Sequence, residues 1–184
     1  MNSGARWLFG VCFAANLLMI AIALSSWGAA EIRANGGEVL FLTGAGAAWL
    51  GIATLLFSWL GLSLRDDAGE RKNIGALVAL CGSLTGVALI YAGGSVGEGP
   101  SYSNNAFSIG LAALGFFGLW ILLELAGGVS RSITEDRDLA SGLRLCGFLI
   151  AVGLVLGRAV AGDWHSENAT VHDLIRDGWP VVIL

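Results

Sequence analysis

Few residues in this 184-residue chain combine reactive chemistry with a telling position. Three charges, Glu124, Arg144 and Arg158, stand in or beside long apolar runs. A charge at membrane depth is costly and marks either a polar path or a structural pairing. Glu124 and Arg144 fall at similar depth if their runs cross a bilayer, which makes them a candidate intramembrane pair. Their places near the ends of the runs also allow both to snorkel to the interface. His165 and His172, with Asp163, Glu167 and Asp173, crowd the C-terminal stretch. Seven residues put both histidines on one helical face, but surface histidines are the commoner reading, and no metal site is assigned. Cys12, Cys81 and Cys146 lie inside apolar runs, without zinc-type spacing, and read as small hydrophobes. No nucleophile–base set, P-loop or dinucleotide fingerprint occurs. The chain therefore reads as a non-enzyme that needs no cofactor.

Composition dictates which elements position these residues. Hydrophobic residues make up 55% of the chain and charged ones 13%, against about 25% charged in a soluble domain. Mean hydropathy is +0.74. Glycine, at 28 residues, is about twice its usual share. Apolarity with abundant Gly and only two Pro points to closely packed membrane helices. A net charge of −4, divided among loops, leaves no nucleic-acid footprint.

Five apolar runs, at 7–27, 39–63, 74–95, 107–128 and 139–161, are long enough to span a membrane. The fold class is an all-α membrane protein of about five transmembrane helices. A signal peptide is the rival reading of the first run, which exceeds the usual length of a signal core. Trp7 and Trp27 stand at its two ends, where interfacial aromatics belong.

Residues 70–94 return 65 residues later as 135–159. Glu70 falls on Glu135, Leu80 on Leu145, Cys81 on Cys146, Gly82 on Gly147 and Val87 on Val152. The chain thus reads as a parallel duplicated two-helix unit, 39–95 and 107–161. Its parts are a first helix with its loop (1–38), two copies (39–103 and 104–164) and a tail (165–184). Shifted by 69, Cys12 meets Cys81 and Gly28 meets Gly97, so the first span reads as a degenerate half-copy. The tail reads either as the start of a further, truncated copy or as an amphipathic helix on the membrane surface. Asn168-Ala-Thr within it matches a glycosylation sequon.

Small residues four apart let helix backbones approach in lipid. Gly82 and Gly86 form such a pair, matched by Gly147 and Ala151. Ala88 and Ala92 form a second, matched by Gly153 and Gly157. Their retention leads to the expectation that the third and fifth spans pack through equivalent faces.

Lys and Arg set the expected topology. The N-terminal end and loops 64–73 and 129–138 share Arg6, Arg65, Arg71, Lys72, Arg131 and Arg137, while the opposite loops hold only Arg33 before the tail. The positive-inside rule then places the N-terminus in the cytoplasm and the C-terminus outside. Arg71, Lys72 and Arg137 are the candidate partner-facing residues.

The joints RKNIGALVALCGSLTGVAL and EDRDLASGLRLCGFLIAVGL, with the closing AGDW, resemble the YjfL-like family, a domain of unknown function numbered three hundred and fifty. The resemblance covers roughly residues 39–164. Asn73 with Gly75 and Ala76 fits the family's joint, and Asp138 with Ala140 and Ser141 replaces its Asn by Asp. The resemblance implies a bacterial inner-membrane protein with no catalytic residues to carry over. It also implies a link to membrane-stress proteins, ATP-grasp ligases or aminopropyl transferases, hence a soluble cytoplasmic partner.

The expected function is a membrane scaffold or accessory subunit, in contact with membrane lipids, acting as a homo-oligomer or within a larger complex. The alternative is a small oligomeric channel or transporter for an ion or small polar solute.

Overall fold

The structure is a computed structural model that describes residues 3–184. Eight α-helices follow in order: α1 (Ser3–Trp27), α2 (Ala30–Ala34), α3 (Gly36–Trp59), α4 (Ile74–Gly94), α5 (Tyr102–Gly127), α6 (Val129–Thr134), α7 (Leu139–Ala159) and α8 (Glu167–Gly178). A π-helical turn, Leu64–Glu70, precedes α4, and a 3-10 turn, Trp179–Ile183, closes the described chain. There is no β-strand among the described residues. The helices α1, α3, α4, α5 and α7 are each long and apolar enough to cross a bilayer, and the chain is a multi-pass membrane protein.

Short polar residues start these helices. Asn35, Asn73, Ser101, Asp138 and Ser166 each accept a backbone N–H of the first turn with their side chain, which satisfies an otherwise orphaned donor. The caps move two boundaries from their expected places. Asn35 opens α3 at Gly36 and Ser101 opens α5 at Tyr102, inside stretches that read as loop. At the other end of α3, the helix stops at Trp59 rather than near 63. Gly61, at φ 86°, turns the chain away there.

The helix at the centre is α4. Two thirds (67%) of its apolar window is buried, against 22–33% for the other four spans. It is surrounded by α1, α3, α5 and α7, and its closest neighbour is α7, which runs parallel to it. Apolar side chains gain little from each other in lipid, so backbone approach must supply the attraction. A side chain at Gly82 would lie 2.6 Å from Cys146 Cα, and one at Gly157 would lie 2.6 Å from Leu89 O. Side chains at Gly86, Gly93 and Gly153 would overlap Leu149 O, Gly157 O and Gly86 Cα respectively.

The faces used are not equivalent, contrary to the sequence expectation. Along α4 the contact runs through Gly75, Gly82, Gly86 and Gly93, and along α7 through Gly142, Cys146, Gly153 and Gly157. Gly147, the counterpart of Gly82, has open space where a side chain would stand, and Ala151 is half-buried. The four-residue spacing marks a face that accepts a close neighbour. In α4 that face is filled by α7, and in α7 the same face points outward.

Polar ties hold the other neighbours. Asn16 of α1 donates from Nδ2 to Thr85 Oγ1 (3.2 Å) and to Cys12 O (3.0 Å). The Cys12 thiol reaches Cys81 O at 3.8 Å. Tyr91 of α4 donates its hydroxyl to Leu42 O of α3 at 2.6 Å, and its ring packs where Gly46 has no side chain. At the far ends of α1, α4 and α7 the chain leaves each helix as a short extended segment. Gly97 N–H donates to Trp27 O (3.4 Å), Gly162 N–H to Val96 O (3.3 Å) and Trp164 N–H to Glu98 O (2.8 Å). Glu98 N–H is taken by Asp163 Oδ1 at 2.8 Å.

The contact geometry sets a matched pair of substitutions. Gly93→Ala should cost about 1–3 kcal/mol, because α4 and α7 must separate. Gly147→Ala should stay within about 0.5 kcal/mol. Equal unfolding midpoints of the two variants in detergent would contradict the assigned interface.

Candidate functional site

The two loops rich in Lys and Arg meet at one end of the bundle. Both read in the sequence as charged loops, and each contains a short helical turn. In the first, Ser63 Oγ accepts Asp66 N–H (3.1 Å) and Ser63 N–H donates to Asp67 Oδ2 (2.8 Å), which winds Leu64–Glu70 into its π-helical turn. In the second, Gly128 enters the left-handed region at φ 55° and starts the short helix α6.

Glu124 secures that second turn. Its carboxylate accepts Ser130 N–H at 3.0 and 3.1 Å, Ser130 Oγ–H at 2.7 Å and Trp120 Nε1–H at 3.3 Å. This overturns the proposed pair with Arg144. Arg144 is exposed on α7 and makes no ion pair among the described residues. Equal depth along the sequence does not place two residues on facing sides, and Glu124 is consumed by the turn that follows it.

Asn73 joins the two loops. It is buried, caps α4 by accepting Ala76 N–H, and donates Nδ2–H to Ile133 O at 2.6 Å. Beside it, Asp138 O lies 3.0 Å from where a Gly75 side chain would start. Two backbone closures are spaced alike: Asn73 N–H donates to Asp67 O (3.0 Å) and Asp138 N–H to Ser132 O (3.2 Å). Immediately before each cap stands a cation in the left-handed conformation, Lys72 at φ 53° and Arg137 at φ 55°. That conformation is costly for a residue with a side chain, of order 1–3 kcal/mol.

The three candidate partner-facing cations therefore differ. Arg71 is engaged, with Nη1 at 3.2 Å from Asp67 Oδ1 and the Asp67 carboxylate almost buried. Lys72 and Arg137 are exposed and make no ion pair among the described residues. Arg65 and Arg131 pair with Glu70 and Glu135 at the exposed rim. Lys72 and Arg137 thus stand out by backbone geometry, a property with no signature in composition.

The other candidates stay apart from this surface. His165 Nδ1 lies 2.9 Å from Asp163 O. No group of three His, Cys, Asp or Glu among the described residues is arranged to hold a metal ion. The tail forms α8, an amphipathic helix capped by Ser166 and packed on α7 and α5. At the opposite end of the bundle a cavity of about 570 Å³ is lined by Glu31, Glu38, Ser101 and Tyr102, with the Tyr102 hydroxyl donating to Glu38 Oε2 at 2.5 Å. It has no signature along the chain, because it forms where α2, the start of α3 and residues 97–105 come together. No family model matches the chain, and neither does any curated protein or solved structure.

Two outcomes test these assignments. Glu124→Ala should lose about 1.5–3 kcal/mol, the range for hydrogen bonds to a charged group. Arg144→Ala should leave stability unchanged, and the double variant should show no coupling; a coupling above about 0.5 kcal/mol would restore the pair. Asp138 provides a pH signature. Bonds from the Ser141 hydroxyl and from the Ala140 and Ser141 N–H groups hold its carboxyl below the usual carboxylate range. A lowered folded-state value stabilises the fold above the unfolded value and loses that contribution as pH falls through the folded one. The stability gap between the native chain and Asp138→Ala should be flat above about pH 5 and shrink below about pH 3.9.

Proposed function

We propose that this protein is a non-enzymatic membrane scaffold or accessory subunit, built from a duplicated two-helix unit, that engages an acidic partner at its basic end. The observation that carries the reading is the pair Lys72 and Arg137. Both cations are held in a costly backbone conformation, directly before a helix cap, and neither has an internal ion-pair partner. Strain of this kind persists only where surrounding structure imposes it, and it clusters at working surfaces. Asn73 ties the two loops into one surface, so a partner would meet a fixed arrangement rather than two mobile loops.

The positive-inside rule puts this surface in the cytoplasm, so a soluble protein is the natural partner. The resemblance to the YjfL-like family supports the same reading, and under it the membrane would be a bacterial inner membrane. The outward face of α7, with Gly147 and Ala151, offers a close-approach surface for another helix, either of a second copy or of a larger complex. A path between α4 and α7 is disfavoured by their backbone contact, and the Glu124–Arg144 pair that favoured a channel is not formed.

The test is copurification from native membranes in mild detergent, read by mass spectrometry of the intact assembly. Lys72→Glu with Arg137→Glu should reduce partner recovery about tenfold or more, through lost contacts and like-charge repulsion. Arg65→Glu, which alters an exposed rim pair, should change it little. A double variant that inserts in the native orientation and still recovers the partner in full would sink the proposal.

A further inference from the structure

We propose that the groove between α1 and α7 is a binding site for one anionic phospholipid, with its acyl chain in the groove and its phosphate on Arg158. This site lies at the end of the bundle opposite the basic loops and does not depend on the partner-binding reading.

Four helices surround α4, and the gap between α1 and α7 is open to the bilayer. The groove there has a volume of about 600 Å³. Its walls are Leu18 and Ile22 of α1 and Leu154 of α7, and its floor is Ala92 and Gly93 of α4. On α1 it runs from Ala15 to Trp27, about 18 Å at 1.5 Å per residue. Half of a hydrocarbon core of about 30 Å is about 15 Å. The groove therefore spans one leaflet, from the bilayer middle to the interface, as a single acyl chain does. Its floor is shallow because α4 and α7 touch backbone to backbone at Gly93 and Gly157.

The charge at the mouth selects the headgroup. Arg158 lines the groove near the C-terminal end of α7, and exposed Trp27 stands at the same end. That is the level at which aromatic residues mark the interface and lipid phosphates lie. Arg158 makes no ion pair or side-chain hydrogen bond among the described residues. Asp177, on α8, lies within electrostatic reach of Arg158, and that carboxylate is held by Arg176 through two bonds of 2.9 and 2.8 Å. A guanidinium left free at phosphate level, above an apolar slot one leaflet long, matches an anionic phospholipid in charge and in shape.

The experiment uses the purified full chain, stripped of lipid in detergent, with phosphatidylglycerol or phosphatidylcholine added back and bound lipid counted by native mass spectrometry. The native chain should hold one equivalent of phosphatidylglycerol and prefer it about fivefold over phosphatidylcholine, as expected for about 1 kcal/mol per cation near a lipid surface. Arg158→Gln should bind both lipids equally. Ala15→Phe, which fills the slot from an exposed position, should lose both while keeping its thermal midpoint. Water-soluble glycerophosphoglycerol in excess should not displace the bound lipid. The proposal is overturned by equal binding of both lipids to the native chain, or by an unchanged preference in Arg158→Gln. It is equally overturned by full binding to Ala15→Phe, by displacement with the soluble headgroup (a phosphate site without an acyl slot), or by a lipid-free dimer.

Discussion

Backbone contact between α4 and α7 is the constraint from which the rest of the arrangement follows. Inside a bilayer, burying leucine against leucine gains little over leucine against lipid. What distinguishes one helix packing from another is how closely two main chains can come. Gly82, Gly86 and Gly93 on one side, with Gly142, Gly153 and Gly157 on the other, leave no Cβ of their own where the two main chains come closest. With α7 fixed against it, α4 becomes the interior of the bundle, and α1, α3 and α5 occupy what is left of its circumference. The floor of the lipid-facing groove and the meeting of the two basic loops are both consequences of that one contact.

The membrane helices are legible in the sequence because hydropathy over about 20 residues is a strong signal and the bilayer enforces it. Their ends are less legible. Caps such as Asn35 and Ser101 act through a single side-chain bond, which overrides a polar composition that reads as loop. The small-residue pairs announce that a face is built for close approach and are silent about its occupant. Gly82 and Gly147 look alike along the chain, yet one lies against Cys146 and the other meets open space.

The candidate site shows the same limit more sharply. Hydropathy gives the depth of Glu124 and says nothing of its direction, so a turn six residues on, closed through Ser130, could not be read in advance. Arg71, Lys72 and Arg137 look equivalent as charges in loops. Only the backbone separates them: Arg71 is tied to Asp67, and the other two stand in the left-handed region. Asn73 is legible as a helix start, but its bond to Ile133 is a long-range fact about where the second loop lands.

The link between Asn16 and Thr85 places a demand on how the protein is made. Asn16 satisfies one amide proton within its own helix, on Cys12 O, and the other on a residue 69 positions later. At translation rates of roughly 5–20 residues per second, that partner follows roughly 3–14 s behind. Until then that amide proton lacks its partner on α4, and α3, which is made first, takes no hydrogen bond from Asn16. The second partner of Asn16 thus exists only once α4 is present, which ties the polar satisfaction of the first membrane helix to one made two spans later.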